Sequence, residues 1–319
     1  MALAAGLAAG YVADTLLADP SKGHPVAAFG SAAHALEQRW YVDSRGRGAQ
    51  FTATCVGGAA AFGYVAARGS RSRSLANLAT VATATWTVVG ATSLRREAAA
   101  IGDLLEAGDI EGARERLPRL CGRDPRALDE REIARAVVES VAENTSDAVV
   151  APLFWGAVAG VPGLLAYRAA NTLDAMVGHH TARYERFGWA SARLDDALNL
   201  VPARLTGALT ALAAPKVGGT RRETWRTLRH DGGRHPSPNA GHCEAAAAGA
   251  LGLKLGGTNV YASGIEHRPY LGMGRAPRGF DIARANRLSA AVSTSAAVGL
   301  SVGALAIRTV GAARKRSAK

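Results

Sequence analysis

Four stretches of about twenty residues each, 48–67, 74–94, 148–167 and 288–307, contain no charged side chain, and that length carries a helix across a bilayer. They are built from Ala, Gly, Thr and Val more than from Leu and Ile. Each is therefore weakly lipophilic alone, but small side chains let such helices pack closely in a membrane. The plain alternative is a soluble, Ala-rich helical bundle. The mean hydropathy of +0.02 is low for a membrane protein, yet the average hides charge-free runs set between strongly charged loops. Hydrophobic residues make up 48% and charged ones 20%, with a net charge of +12. Basic loops around uncharged spans explain that balance better than a nucleic-acid binder does. Aromatic residues are only 6%, with no basic groove interleaved with aromatics. The three cysteines, Cys55, Cys121 and Cys243, form neither a disulfide framework nor a CxxC pair, which predicts reduced, structural thiols.

These patterns predict an all-α, polytopic integral membrane helical protein with kinked or re-entrant helices and polar helical loops. We expect a single membrane-embedded domain over 1–319, with polar inserts at 95–147 and 216–287. Residues 2–13 are apolar without a basic leader, so they predict a retained first helix rather than a cleaved signal peptide. The basic loop 68–73 and the tail residues Arg308, Arg314, Lys315, Arg316 and Lys319 are expected on the cytoplasmic side. The insert 95–147 predicts two or three short amphipathic helices. In 148–167, Pro152, Pro162 and Gly163 predict a kinked or discontinuous helix. Residues 205–215 cover only half a bilayer, and extending them back to 197 takes in Pro202 and Arg204. A re-entrant or interfacial segment is expected there, leaving four or five true spans.

Chemistry concentrates between Arg135 and Arg204. Glu139, Glu143 and Asp147 are spaced four apart, so a helix would stack them on one stripe. Such acids repel unless a cation, a proton or basic partners compensate, and the intervening Ser140-Val-Ala and Asn144-Thr-Ser supply no positive charge. A surface helix with acids facing water is the simpler account. Against it, Asn171/Asp174 and Asp195/Asn199 repeat the helical spacing beside apolar segments. Carboxylate and amide oxygens clustered this way suit Mg²⁺ bridging to a substrate phosphate. Further on, Ser237 and Asn239 stand where a helix N-cap is preferred, and free N–H groups at that helix start could cradle an anion. No Walker loop, dinucleotide fingerprint, GxSxG elbow or HExxH is present.

Several pieces occur together and in order: Asp14…Asp19-Pro…His24-Pro-Val, Glu139-Ser-Val-Ala-Glu143-Asn-Thr-Ser-Asp147 and Tyr167-Arg168-Ala-Ala-Asn171-Thr-Leu-Asp174. Arg193-Leu-Asp195-Asp196-Ala-Leu-Asn199…Arg204 and Ser237-Pro-Asn239-Ala-Gly241…Glu244 follow. From about residue 10 to residue 275 the chain resembles the adenosylcobinamide-phosphate synthase family, the CobD/CbiB membrane proteins of cobalamin biosynthesis. It departs at Ala18, where the family commonly has Gly, and at His242-Cys243, where an aromatic and Pro are usual.

The resemblance implies ATP-dependent amide ligation. A carboxylate of adenosylcobyric acid would be joined to (R)-1-amino-2-propanol O-phosphate, or to the free aminopropanol. ATP is then a co-substrate and Mg²⁺ a cofactor, with Glu139, Glu143, Asp147 and Asp174 as metal ligands. Arg168, Asn171, Arg193, Arg204, Ser237 and Asn239 would bind substrate and phosphate. Asp196 or His24 would serve as base, and Glu143 would also take part in catalysis. The implied partners are the corrinoid, the amino-alcohol phosphate and the lipid bilayer, with no nucleic acid. The implied placement is a multi-pass protein of the cell membrane with its active site facing the cytoplasm. A Mg-dependent membrane prenyltransferase would need two matching aspartate-rich repeats, which Asn171/Asp174 and Asp195/Asp196 are not. A non-catalytic membrane sensor of the same family would have lost acids that are all present here.

Overall fold

A computed structural model describes residues 1–20, 23–179, 181–261 and 264–317, without the side chains of residues 260 and 307–317. The basic tail side chains from Arg308 onward lie outside the described residues. The chain divides into two compact units: Met1–Gly90, Ala151–Leu198 and Ala296–Lys319 form the first, and Ala91–Val150 with Asn199–Ser295 the second. Both expected polar inserts fall in the second.

The first unit contains α1 (Ala2–Leu17), α2 (Pro25–Trp40), α3 (Arg45–Ser70), α4 (Ser74–Val88), α8 (Ala151–Val177) and the start of α9 (Trp189–Ala213). Helix α1 packs against α4 and α3 against α8. Gly6 and Gly10, one turn apart, make the α1–α4 approach possible. A Cβ at Gly6 would lie 2.6 Å from Val81 Cβ, and one at Gly10 2.4 Å from Thr85 Cβ. That is the small-residue packing expected of weakly lipophilic membrane helices. A separate aromatic core joins Phe51, Phe187, Leu173, Val177 and Ala33.

The interruption expected in 148–167 is present. Gly160 adopts φ 68°, ψ −150° within α8, two residues before Pro162. By contrast, α9 is continuous through Pro202. Proline has no N–H to give to the Leu198 carbonyl, and the Trp155 indole N–H donates to that oxygen instead, at 3.0 Å. The uncharged run 74–94 does not form one span. Helix α4 ends at Val88, Val89 and Gly90 are non-helical, and α5 (Ala91–Glu106) begins anew. Among the described residues three helical runs, Glu130–Val177, Trp189–Val217 and Gly279–Ala306, are long and apolar enough to cross a membrane. This is fewer than the four or five expected, because α4 stops early, α1 has only 16 residues and α3 is rich in Ala and Gly.

The second unit opens with the expected amphipathic helices, α5, α6 (Ile110–Arg116) and α7 (Glu130–Thr145). A capping box starts α7: Asp129 Oδ1 accepts from Glu132 N at 2.8 Å, and Glu132 Oε2 from Asp129 N at 3.0 Å. Helix α7 ends in a π-helical turn, Ser146–Val150. Next come α10 (Arg221–Asp231), α11 (Ala240–Leu251), the antiparallel strands β1 (Leu255–Tyr261) and β2 (Gly264–Leu271), and α12 (Gly279–Ser317), which starts here and ends in the first unit. The hairpin is the one departure from an all-α reading among the described residues. Helix α11 packs on α7, α10 and both strands.

Candidate active site

In the second unit, the acidic stripe on α7 faces a buried polar interior rather than water. Glu139 is 2% exposed. One carboxylate oxygen is paired with Arg123 and the other accepts the Gly256 N–H at 2.6 Å. Burial alone would lower the Arg123 pKa, but Glu139 outweighs it and keeps the guanidinium firmly charged. One turn towards the N-terminus, Arg135 donates to the carbonyls of Gly256 and Thr258, so one helix face fixes the start of β1. Glu143 is half-buried, and Asp147, also half-buried, sits in the π-turn beyond the regular stripe.

Glu244 on α11 is 1% exposed. Its nearest ionic neighbours are His235 Nε2 and Arg268 Nη1, each at 3.8 Å. Burial, then the proximity of Glu139 and Glu143, pushes its carboxyl well above the usual range, against Arg268 and Arg123. His235 is pulled the other way, below its ordinary value, by burial and by Arg268. Its Nδ1 accepts the Ser237 N–H at 3.0 Å. Ser237 in turn caps α11, its hydroxyl accepting from Asn239 N at 3.3 Å and Ala240 N at 3.2 Å. Asn239 holds the N-cap position without a side-chain capping bond. Ser237 therefore performs the capping expected of the pair. Arg204, expected at phosphate, is exposed and its Nη1 donates to Leu200 O at 2.7 Å.

In the first unit, two motifs meet. Arg168 Nη1 donates to Asn171 Oδ1 at 3.2 Å, and Asn171 Nδ2 donates to Asp195 Oδ1 at 3.4 Å. This joins α8 to α9 through the residues that the spacing singled out. Asp195 and Asn199 are buried, Asp196 and Asp174 half-buried, and Arg193 exposed. His24 caps α2: its Nδ1 accepts Val26 N–H at 3.2 Å while Nε2 faces Asp19 Oδ1 at 3.3 Å. Both ring nitrogens are thus engaged.

The residues of the expected metal set fall in both units. Glu139 is occupied by Arg123 and Gly256, Asp174 belongs to the other unit, and no group of three His, Cys, Asp or Glu suited to a metal exists among the described residues. Within the second unit, Glu143 and Asp147 are both half-buried, and two carboxylates are a common protein contribution to Mg²⁺ when substrate phosphates supply further oxygens.

Sequence reasoning passed over Arg123, His235 and Arg268. The signal available was the uncompensated stripe itself: acids stacked without local bases imply cations delivered from distant segments. Nothing in the local sequence says which segments those are.

The CobD/Cbib protein family model matches residues 7–289. The Cobalamin biosynthesis protein CobD of Mycobacterium tuberculosis H37Rv is 51% identical over 295 residues, covering 92% of this chain and 94% of the relative. The protein of the same name from Geobacter metallireducens is 47% identical over 264 residues, covering 81% and 83%. That from Chromobacterium violaceum is 43% identical over 280 residues, covering 86% and 88%. No solved structure matches. With every candidate residue from Asp14 to Glu244 inside the matched span and identity near one half across nearly the whole chain, this protein belongs to the CobD/CbiB family of cobalamin-biosynthesis proteins.

Proposed function

We propose that the protein is a membrane ligase of cobalamin biosynthesis that forms an amide between adenosylcobyric acid and 1-amino-2-propanol or its O-phosphate, at the expense of ATP. The observation that carries this reading is the family match over residues 7–289, which takes in the buried acids and arginines of the second unit.

The chemistry balances as two transfers. A carboxylate oxygen of the corrinoid attacks the terminal phosphoryl group of ATP, releasing ADP and giving an acyl phosphate. The amine nitrogen then attacks the acyl carbon, the C–O bond to phosphate breaks, and one proton leaves the nitrogen. Mg²⁺, when bound, neutralises charge on the transferring phosphoryl group. Glu143 and Asp147 would hold it. Within the first unit, Arg168, held by Asn171 and Asp195, is a separate candidate for binding oxyanions. Arg193 is exposed and suits the same role. Since ATP is cytoplasmic, the reading places the site on the cytoplasmic face of the cell membrane.

The test is coupling. Purified protein with Mg²⁺ should cleave ATP only when both the corrinoid acid and an amino alcohol are supplied. ATP cleavage indifferent to both, or none with either amino alcohol, would refute the ligase.

A further inference from the structure

The polar interior of the second unit has more buried hydrogen-bonding capacity than its own residues use. Both carboxylate oxygens of Glu244 are buried without a hydrogen bond, as are Arg123 Nη1, Arg268 Nε, His235 Nε2 and both polar atoms of the Asn259 amide. Glu244 and Asn259 are each 1% exposed, Arg123 6% and His235 8%. Unpaired groups this deep are costly, and with His235 and Arg268 each 3.8 Å from Glu244 they point to a missing occupant.

The unmet groups are of both kinds: an acid that lacks a donor, and donors that lack an acceptor. Charge decides their order. Arg123 is paired with Glu139, and Arg268 with Glu266 at 3.1 Å, whereas Glu244 meets His235 and Arg268 only at 3.8 Å. Because His235 Nδ1 accepts the Ser237 N–H, the neutral ring carries its proton on Nε2 and presents a donor to the cluster. The occupant that completes such a set carries a cationic donor for Glu244 and oxygens for the remaining N–H groups.

Resting on the ligase reading, we propose that this cluster is the subsite for the amino alcohol. Glu244 pairs with the primary ammonium and takes one proton from it, which frees the nitrogen lone pair for attack. Arg123, Arg268, Asn259 and His235 receive the hydroxyl or phosphate oxygens. In that step the N–C bond forms, the acyl C–O bond to phosphate breaks, and the nitrogen's second proton leaves with the departing phosphate. The raised carboxyl of Glu244 makes its ionised form a stronger proton acceptor than an ordinary carboxylate. Glu244 thereby takes the role expected of Asp196 or His24.

Calorimetric titration of the full-length protein in detergent, with aminopropanol O-phosphate, aminopropanol and inorganic phosphate in turn, tests this. Wild type should bind both amines, and Glu244→Gln should weaken both by at least about tenfold, the loss expected for a charged hydrogen bond. Arg268→Gln should weaken the phosphorylated amine more than the free one. Unchanged amine affinity in Glu244→Gln, or no binding of either amine to wild type, overturns the subsite, and the cluster then holds only water. Should Glu244→Gln fail to fold, Glu244→Asp, which keeps the charge but shortens its reach, should still weaken both amines, and unchanged affinity again overturns it. The titration needs neither corrinoid nor ATP. Glu244-dependent amine binding without amide formation would refute the ligase and leave the subsite standing. Amide formation with an unchanged amine KM in Glu244→Gln would do the reverse.

Discussion

Ala18 shows how a single side chain strains the backbone. It closes α1 at φ 57°, ψ −169°, a region that essentially only glycine occupies without cost. The residue is 3% exposed, and its carbonyl accepts the Trp86 indole N–H at 3.1 Å, so the surroundings hold the strained geometry in place. The resemblance had flagged this position as one where glycine is usual, and the dihedrals supply the reason. Ala18→Gly should raise stability by about 1 kcal/mol, the relief of strain exceeding the added unfolded-state entropy. A lower thermal midpoint in detergent would contradict the strain. Two acids one turn apart on α7 should behave oppositely. Glu139→Gln leaves Arg123 buried without its partner and should destabilise by about 3–5 kcal/mol. Glu143→Gln, at a half-buried position, should destabilise less than Glu139→Gln while abolishing turnover. Equal stability losses in the two variants would remove the distinction between ion-pair partner and site residue.

At the scale of elements, the far end of the hairpin is anchored by a carboxylate at the end of α10. Asp231 Oδ2 accepts the Gly272 N–H at 2.8 Å, and Oδ1 faces His230 Nδ1 at 2.7 Å and Arg234 Nη1 at 3.1 Å. Burial pushes the Asp231 carboxyl up, but these three partners outweigh it and hold it below the ordinary range. A depressed folded-state pKa contributes stability that is present above the ordinary carboxylate value and is lost as pH falls through the depressed one. Asp231→Asn should therefore cost about 1.5–3 kcal/mol near neutral pH, and the gap from wild type should narrow on acidification below about pH 4. A difference independent of pH would rule out the ionic anchor. The helices of the 95–147 insert and the break in α8 were legible because their causes are local: amphipathic spacing with a capping box, and Gly160 ahead of Pro162. The hairpin was not legible. Its start is held by Arg135 and Glu139, more than a hundred residues away, and its end by Asp231. The continuity of α9 was hidden for the same reason, since the donor that satisfies Leu198 O comes from Trp155.

For the whole molecule, the charge-free runs made a helical membrane protein legible, but length alone misjudged which runs form long apolar helices. The stretch 74–94 breaks at Val89–Gly90, while 189–217 forms one apolar helical run despite Pro202 and Arg204. The spacing of Asn171 and Asp195 anticipated their hydrogen bond in the first unit, and the acids of the α7 stripe stood out in the sequence of the second. The balancing cations, Arg123 and Arg268, come from segments whose sequence carries no mark of the role. If ATP is used from the cytoplasm, cysteines introduced beside Glu143 and beside Asn239, in a background lacking Cys55 and Cys121, should both react with an impermeant maleimide from the cytoplasmic side. Labelling from the opposite side would contradict that placement. The central claim is amide formation, and mass spectrometry of the corrinoid product tests it most directly. Incubated with adenosylcobyric acid, aminopropanol O-phosphate, ATP and Mg²⁺, the purified protein should convert the acid to its amide with the amino alcohol, and Glu143→Gln should not. Folded wild-type protein that returns the acid unchanged with both the phosphorylated and the free amino alcohol would contradict the account.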